Sequence, residues 1–219
     1  MSTLLEVKSR CEGVMYGPFL IAPHDSYWCS PTKVAFVGQE THEWSFSDDI
    51  GTQMATYDDF CLGKHYRPSP FWNIIRKLEK RLTGSTYCSA WLNLNRYDEA
   101  GKKPSWKNQV TLSELDFLLV EELKTIAVNV VIFFTGPFYD RRLARLLQST
   151  DTNVAGFSAR QLCQLGSTLV GGMIFRTYHP KYLRCSGLES RVIDAICGTV
   201  ANRWSQAADD TPTLRCTSA

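Results

Sequence analysis

The sequence predicts a single α/β domain over 1–219, with three layers α/β/α around a central, mostly parallel, four-stranded sheet, and three observations predict it. Short apolar, β-branched or aromatic runs alternate with segments whose apolar residues recur at helical spacing, the pattern of strand-helix-strand units. The runs are continuous rather than alternating in polarity, as strands covered on both faces are. Each of four such runs ends abruptly in polar residues.

Residues 1–32 form a lead-in in which GPFLIAP reads as a short strand or irregular segment closed by Pro23. Val34, Ala35, Phe36 and Val37 make the first strand, Gly38 frees the backbone to turn, and Gln39, Glu40, Thr41 and His42 follow at once. Residues 48–63 carry Tyr57 and Phe60 without clear periodicity. Ser69 is then a plausible N-cap with Pro70 at the first helical position. Phe71, Ile74, Ile75, Leu78 and Leu82 recur on one face, while Arg76, Lys77, Glu79, Lys80 and Arg81 take a solvated one. Gly84 closes that helix.

YCSAWLNL, 87–94, is the second strand, ending in Asn93, Asn95 and Arg96. Thr111 or Ser113 caps a helix burying Leu115, Leu118, Leu119 and Leu123. Residues 128–134 are the third strand, ending at Thr135, Gly136 and Pro137. Residues 138–149 should be helical, with Asp140, Arg141, Arg142 and Arg145 on an exposed face. Residues 169–177 form the fourth strand, followed by Tyr178, His179 and Pro180. A capping box from Ser186 to Glu189 opens the last long helix, and residues 205–219 read as a frayed tail.

Composition narrows the function classes. At 44% hydrophobic and 21% charged residues the chain is neither disordered nor fibrous. The longest apolar run, 126–134, is too short to span a bilayer, and the N-terminal residues lack a signal peptide's apolar core, so a cytoplasmic location is expected. Eight scattered cysteines, with no Cys-x-x-Cys pair, read as free thiols. No metal or other cofactor is expected. A formal net charge of +2 neither requires nor excludes a nucleic-acid partner.

In a parallel sheet the polar tails of the strands converge on one rim, where ligands bind in open α/β folds. A carboxylate (Glu40), an amide (Asn93) and an imidazole (His179) would meet there. Their order along the chain resembles the uracil-DNA glycosylase superfamily. That family's first motif, Gly-Gln-Asp-Pro-Tyr after the first core strand, is matched by Gly38, Gln39, Glu40, Thr41 and His42. Its second, His-Pro-Ser-Pro-Leu after the last core strand, is matched by His179, Pro180, Lys181, Tyr182 and Leu183. Between them PSPFWNII, 68–75, matches a Pro-Ser-rich helix start, Leu92 and Asn93 match a strand ending in Leu-Asn, and Phe134, Thr135 and Gly136 match a strand ending in Trp-Gly. The resemblance covers roughly residues 33–184. It departs from the family pattern at Glu40, Thr41, His42, Lys181 and Tyr182.

The resemblance implies a uracil-DNA glycosylase-like fold and a metal-free, monofunctional hydrolase that removes uracil or a related altered base from flipped nucleotides in single- or double-stranded DNA. It implies a catalytic Glu40 opposing positive charge on the sugar, and a catalytic His179 donating to the departing base; each also has a purely structural reading. Gln39, His42, Phe60 and Asn93 would contact the base, with Asn95 a rival to Asn93 and a core role the alternative for Phe60. Ser69 would contact the DNA, Lys181 and Arg184 would meet phosphates, and Leu183 would fill the gap left by the flipped base or simply pack. Two other functions are compatible: a nucleic-acid-binding protein of this fold that does not hydrolyse, and a nucleoside or nucleotide hydrolase.

Overall fold

The computed structural model describes residues 2–209. In chain order these form α1 (Ser2–Ser9), β1 (Met15–Tyr16), α2 (Asp25–Cys29), β2 (Val34–Gly38), α3 (Ile50–Phe60), α4 (Pro70–Thr83), β3 (Ala90–Asn93) and β4 (Asp98–Glu99). There follow α5 (Trp106–Leu112), α6 (Asp116–Thr125), β5 (Val130–Phe133), α7 (Asp140–Leu147), β6 (Thr150–Asn153), β7 (Leu162–Gly166), β8 (Met173–Thr177), α8 (Pro180–Cys185) and α9 (Glu189–Asp209).

The central sheet is mixed and six-stranded, in the order β3-β2-β5-β8-β7-β6. β3, β2, β5 and β8 run parallel, in a register that sets Phe36 between Trp91 and Ile132 and Gly38 opposite Asn93. β7 and β6 extend it antiparallel, which corrects the expected strand count of four. Their sequences hide them: TDTN is exposed throughout, and LCQLG is too short to show a period. A second, two-stranded sheet pairs β1 with β4.

Side chains alternate across the strands and build a core on each face. Phe36, Val130, Ile132 and Phe175 pack under α4, α8 and α9 through Ile74, Ile75, Leu78, Leu183, Val192 and Ile196. Ala35, Val37, Val131, Phe133 and Ile174 pack under α6 and α7 through Leu119, Leu123, Leu143 and Leu147. The chain therefore leaves β2 for the edge strand β3 over one face and returns to β5 over the other. The direction of connection changes between β2 and β5.

Several expected elements shift for physical reasons. Residues 50–60 are helical, capped by Asp49, whose carboxylate accepts from Thr52 N at 2.7 Å; the pattern is faint because only Gln53 and Tyr57 are buried. Ser69 does cap α4, but Glu79 lies fully inside rather than on the solvated face. Ser105, not Thr111 or Ser113, caps the first helix of its segment, and Leu115 precedes α6. Arg142 is buried instead of exposed. Ser186 terminates α8, its hydroxyl donating to Tyr182 O at 2.8 Å, so it is no N-cap, and α9 starts at Glu189. Residues 205–209 continue that helix rather than fray; the rest of the expected tail, 210–219, lies outside the described residues.

Candidate functional site

A cavity of about 550 Å³ opens at the carboxyl ends of β2 and β3, beside the N-terminus of α8. Gln39, Glu40 and His42 from the tail of β2, Phe60 from the end of α3, Ser69 at the start of α4, Asn93 from β3, and His179 with Lys181 after β8 all line it. Eight of the ten residues singled out in the sequence thus share one site, although they span 39 to 181 in the chain.

The tail of β2 is held open by the turn after β4. Thr41 Oγ1 donates to Asp98 Oδ2 at 2.7 Å, and the buried Asp98 accepts from Gly101 N at 2.7 Å through its other oxygen. His42 Nδ1 donates to Gly101 O, which places the ring at the cavity's exposed lip. Gln39 is tied inward, its Nε2 donating to Thr135 O at 2.9 Å.

Glu40 lies between these two, half-buried. Asn95 Nδ2 donates to its Oε2 at 3.2 Å. Burial pushes the carboxyl up to about 6, against the opposing pull of the Asn95 hydrogen bond and of the Lys103 and Arg142 charges. Its Oε1 accepts no hydrogen bond from the described residues.

Asn93 is fully buried, yet neither its Oδ1 nor its Nδ2 has a partner among the described residues. Its amide crosses directly over Gly38, where a Cβ would come within 2.3 Å of Oδ1, so the position requires glycine. An unpaired amide in a cavity wall offers one donor and one acceptor to a ligand, and leaving it unpaired costs on the order of 1–3 kcal/mol.

His179 stands at the N-terminus of α8, and its Nδ1 accepts from Lys181 N at 3.3 Å. That bond requires an unprotonated Nδ1 and leaves the proton on Nε2. Burial, and secondarily the Lys181 charge, hold the imidazole below its ordinary pKa, so it is neutral at neutral pH. Its ring stacks on Phe71, centroids 5.9 Å apart.

The walls are aromatic to a degree the sequence did not signal. Trp91 sits centrally, with ring centroids 5.6 Å from Trp44, 5.4 Å from Phe60 and 5.1 Å from Trp72. Tyr66 and Arg67 complete the lining. Trp44, Trp72 and Trp91 come from three separate segments, and only their convergence marks them as a site. Phe60 packs against the core, the alternative given for it, and is also part of the cavity wall.

Two expected site residues lie elsewhere. Leu183 is fully buried in the core beneath α8, so it presents nothing to solvent; its neighbour Tyr182 is 52% exposed and packs at a tilt against Tyr178, ring centroids 4.3 Å apart. Arg184 is outside the cavity, its Nε bound to Glu189 Oε2 at 3.1 Å. The helical turn accounts for Leu183: four residues after His179, it falls on the face of α8 that meets the sheet.

Among the described residues, no group of three or more His, Cys, Asp or Glu side chains is placed to hold a metal ion, and no helix is long and apolar enough to cross a membrane. The seven described cysteines are unpaired. The sequence matches no protein-family model and no curated protein. The cavity thus combines an aromatic wall, a buried amide with no partner among the described residues, a carboxylate and a neutral imidazole.

Proposed function

We propose that the protein is a DNA glycosylase of the uracil-DNA glycosylase superfamily, hydrolysing the N-glycosidic bond of uracil or a related altered base. The observation that carries this reading is that Glu40, His179 and the unpaired amide of Asn93 line one aromatic cavity. A base still stacked in a helix cannot reach such a slot, so the nucleotide must be flipped, at a cost of a few kcal/mol that a mismatched or single-stranded base reduces.

In the cavity the ring stacks on the aromatic wall, and Asn93 pairs with its donor and acceptor edge. The bond from C1′ to the base nitrogen breaks with its electron pair leaving on the base. His179 Nε2–H donates to the base carbonyl on which that charge gathers, and the anionic Glu40 opposes the cationic sugar. Water then adds at C1′ and passes a proton to Glu40. Arg67 and Lys181 at the mouth suit phosphates, and the exposed Tyr182 is better placed than Leu183 to occupy the space a flipped base vacates. A cytoplasmic location belongs to the same proposal.

The test is incubation with single- and double-stranded oligonucleotides containing uracil, hypoxanthine or xanthine, followed by alkali and a search for cleavage at the lesion. Release is expected, and Glu40→Ala and His179→Ala should each lower it at least tenfold, about 1.4 kcal/mol of barrier. Wild-type rates in both variants would remove these residues from the mechanism. Binding without product on any base would favour a reader that does not hydrolyse, and release from free nucleosides alone would favour a nucleoside hydrolase.

A further inference from the structure

We propose that Asn95, clamped from behind by Arg142, is the positioning residue that aims the Glu40 carboxylate into the cavity. The proposal rests on the reading of Glu40 as the group that faces the sugar.

The backbone brings the two together. Beyond the end of β3 the ladder continues for two more residues, with Leu94 N donating to Gly38 O at 3.1 Å and Asn95 N to Gln39 O at 2.8 Å. Asn95 is thereby registered against the residue before Glu40, and it is fully buried. Arg142 Nη1 donates to Asn95 Oδ1 at 2.7 Å. A guanidinium only donates, so it fixes which end of the amide faces it and turns Nδ2 toward Glu40 Oε2 at 3.2 Å, with Tyr139 Oη 3.4 Å away.

Arg142 is itself fully engaged. Its Nε lies 2.9 Å from Asp116 Oδ2, and its Nη2 donates to Leu94 O at 3.3 Å as well as to Asp116. The line Asp116, Arg142, Asn95, Glu40 therefore runs from the start of α6, through α7, to the cavity.

The interposed amide has a chemical consequence. A guanidinium bound directly to Glu40 would fix it and also cancel much of the charge needed against a cationic sugar. An amide transmits the orientation and leaves the charge. It also anchors one oxygen of a side chain one methylene longer than aspartate, so Oε1 is the oxygen left for water. Misplacement of a reacting group by ~1 Å costs on the order of a hundredfold in rate. A purely structural part for Asn95, satisfying Arg142, would leave Glu40 unaffected, and this separates the two roles.

The experiment follows the Glu40 side-chain carboxyl by carbon-13 NMR against pH in the full chain, assigned with Glu40→Gln, for wild type, Asn95→Ala and Arg142→Lys. The other charged groups felt by Glu40, Lys103 and Asp98, are untouched. Loss of the donor should move the Glu40 midpoint upward in Asn95→Ala, and less far in the same direction in Arg142→Lys. Uracil excision should fall at least roughly tenfold in kcat with KM little changed. Asn95→Ala removes no charge and carries the test alone if Arg142→Lys does not fold. A moved midpoint in a protein that excises nothing upholds the Asn95 clamp and refutes the glycosylase reading. An unmoved midpoint in folded Asn95→Ala overturns the proposal, whether or not the protein excises uracil.

Discussion

Glu40 carries its negative charge where burial resists it, and that has two consequences at the scale of the residue. Excision needs Glu40 ionised and His179 neutral, and both conditions improve as protons leave. The rate should therefore rise through a single limb near pH 6 and then stay level to at least pH 8, measured as single-turnover excision against pH. Stability should run the other way. Below the carboxyl's ordinary 4.5 both folded and unfolded states hold the proton; as pH rises through about 6, the folded state ionises at a cost the unfolded state does not meet. This group alone removes about 2 kcal/mol of stability across that interval. Glu40→Gln should abolish activity yet unfold at higher urea than wild type at pH 8, with the difference vanishing at pH 4. Asn93 belongs to the same class. Because its amide makes no hydrogen bond within the described residues and its unpaired burial costs on the order of 1–3 kcal/mol, Asn93→Ala should leave the protein at least as stable as wild type while lowering uracil excision at least tenfold. Unfolding and excision measured on one preparation check both halves.

At the scale of the element, the cavity depends on how α4 is tied to β3. Glu79 is fully buried in α4; Arg76 Nη1 donates to one of its oxygens, and Cys88 N, Ser89 N and Ser89 Oγ donate to the other at 2.8, 2.9 and 2.6 Å. α4 carries Phe71 and Trp72 of the cavity wall and β3 carries Trp91 and Asn93, so this carboxylate sets one wall against the other. Glu79→Ala would leave the partly buried Arg76 without its counter-charge and strand three donors, and should cost about 3 kcal/mol in urea unfolding. Periodicity placed α4 to within a residue but put Glu79 on its solvated side. Arg76 is an ordinary i,i+3 partner that would suit a solvated pair as well, and the donors that make burial tolerable are nine and ten residues away, where no local pattern reports them. Arg142 was misplaced for the same reason, since its partners Asp116 and Asn95 lie on other elements. α3, β6 and β7 were invisible for different reasons: α3 and β6 bury too little apolar surface to print a period, and β7 is buried but too short to show one.

At the scale of the whole molecule, the parallel strands β2, β3, β5 and β8 were legible because strands covered on both faces must be continuously apolar, and their polar tails must then share a rim. That reasoning brought Glu40, Asn93 and His179 together correctly. It could not supply the wall, because Trp44, Trp72 and Trp91 lie on separate segments that no local pattern joins, nor decide between the two readings of Leu183, of which packing is the one observed and depends on how α8 rotates onto the sheet. The topology accounts for the cavity's place: it opens at the carboxyl ends of the parallel strands, where the tails of β2, β3 and β8 meet. The central claim, that this crevice seats one flipped base between Glu40 and His179, is tested most directly by a crystal structure of Glu40→Gln bound to a uracil-containing oligonucleotide. The account predicts the uracil ring inside the cavity, its edge paired with Asn93 and a carbonyl oxygen within hydrogen-bond distance of His179 Nε2. A uracil left stacked in the strand, or bound away from these residues, would contradict it.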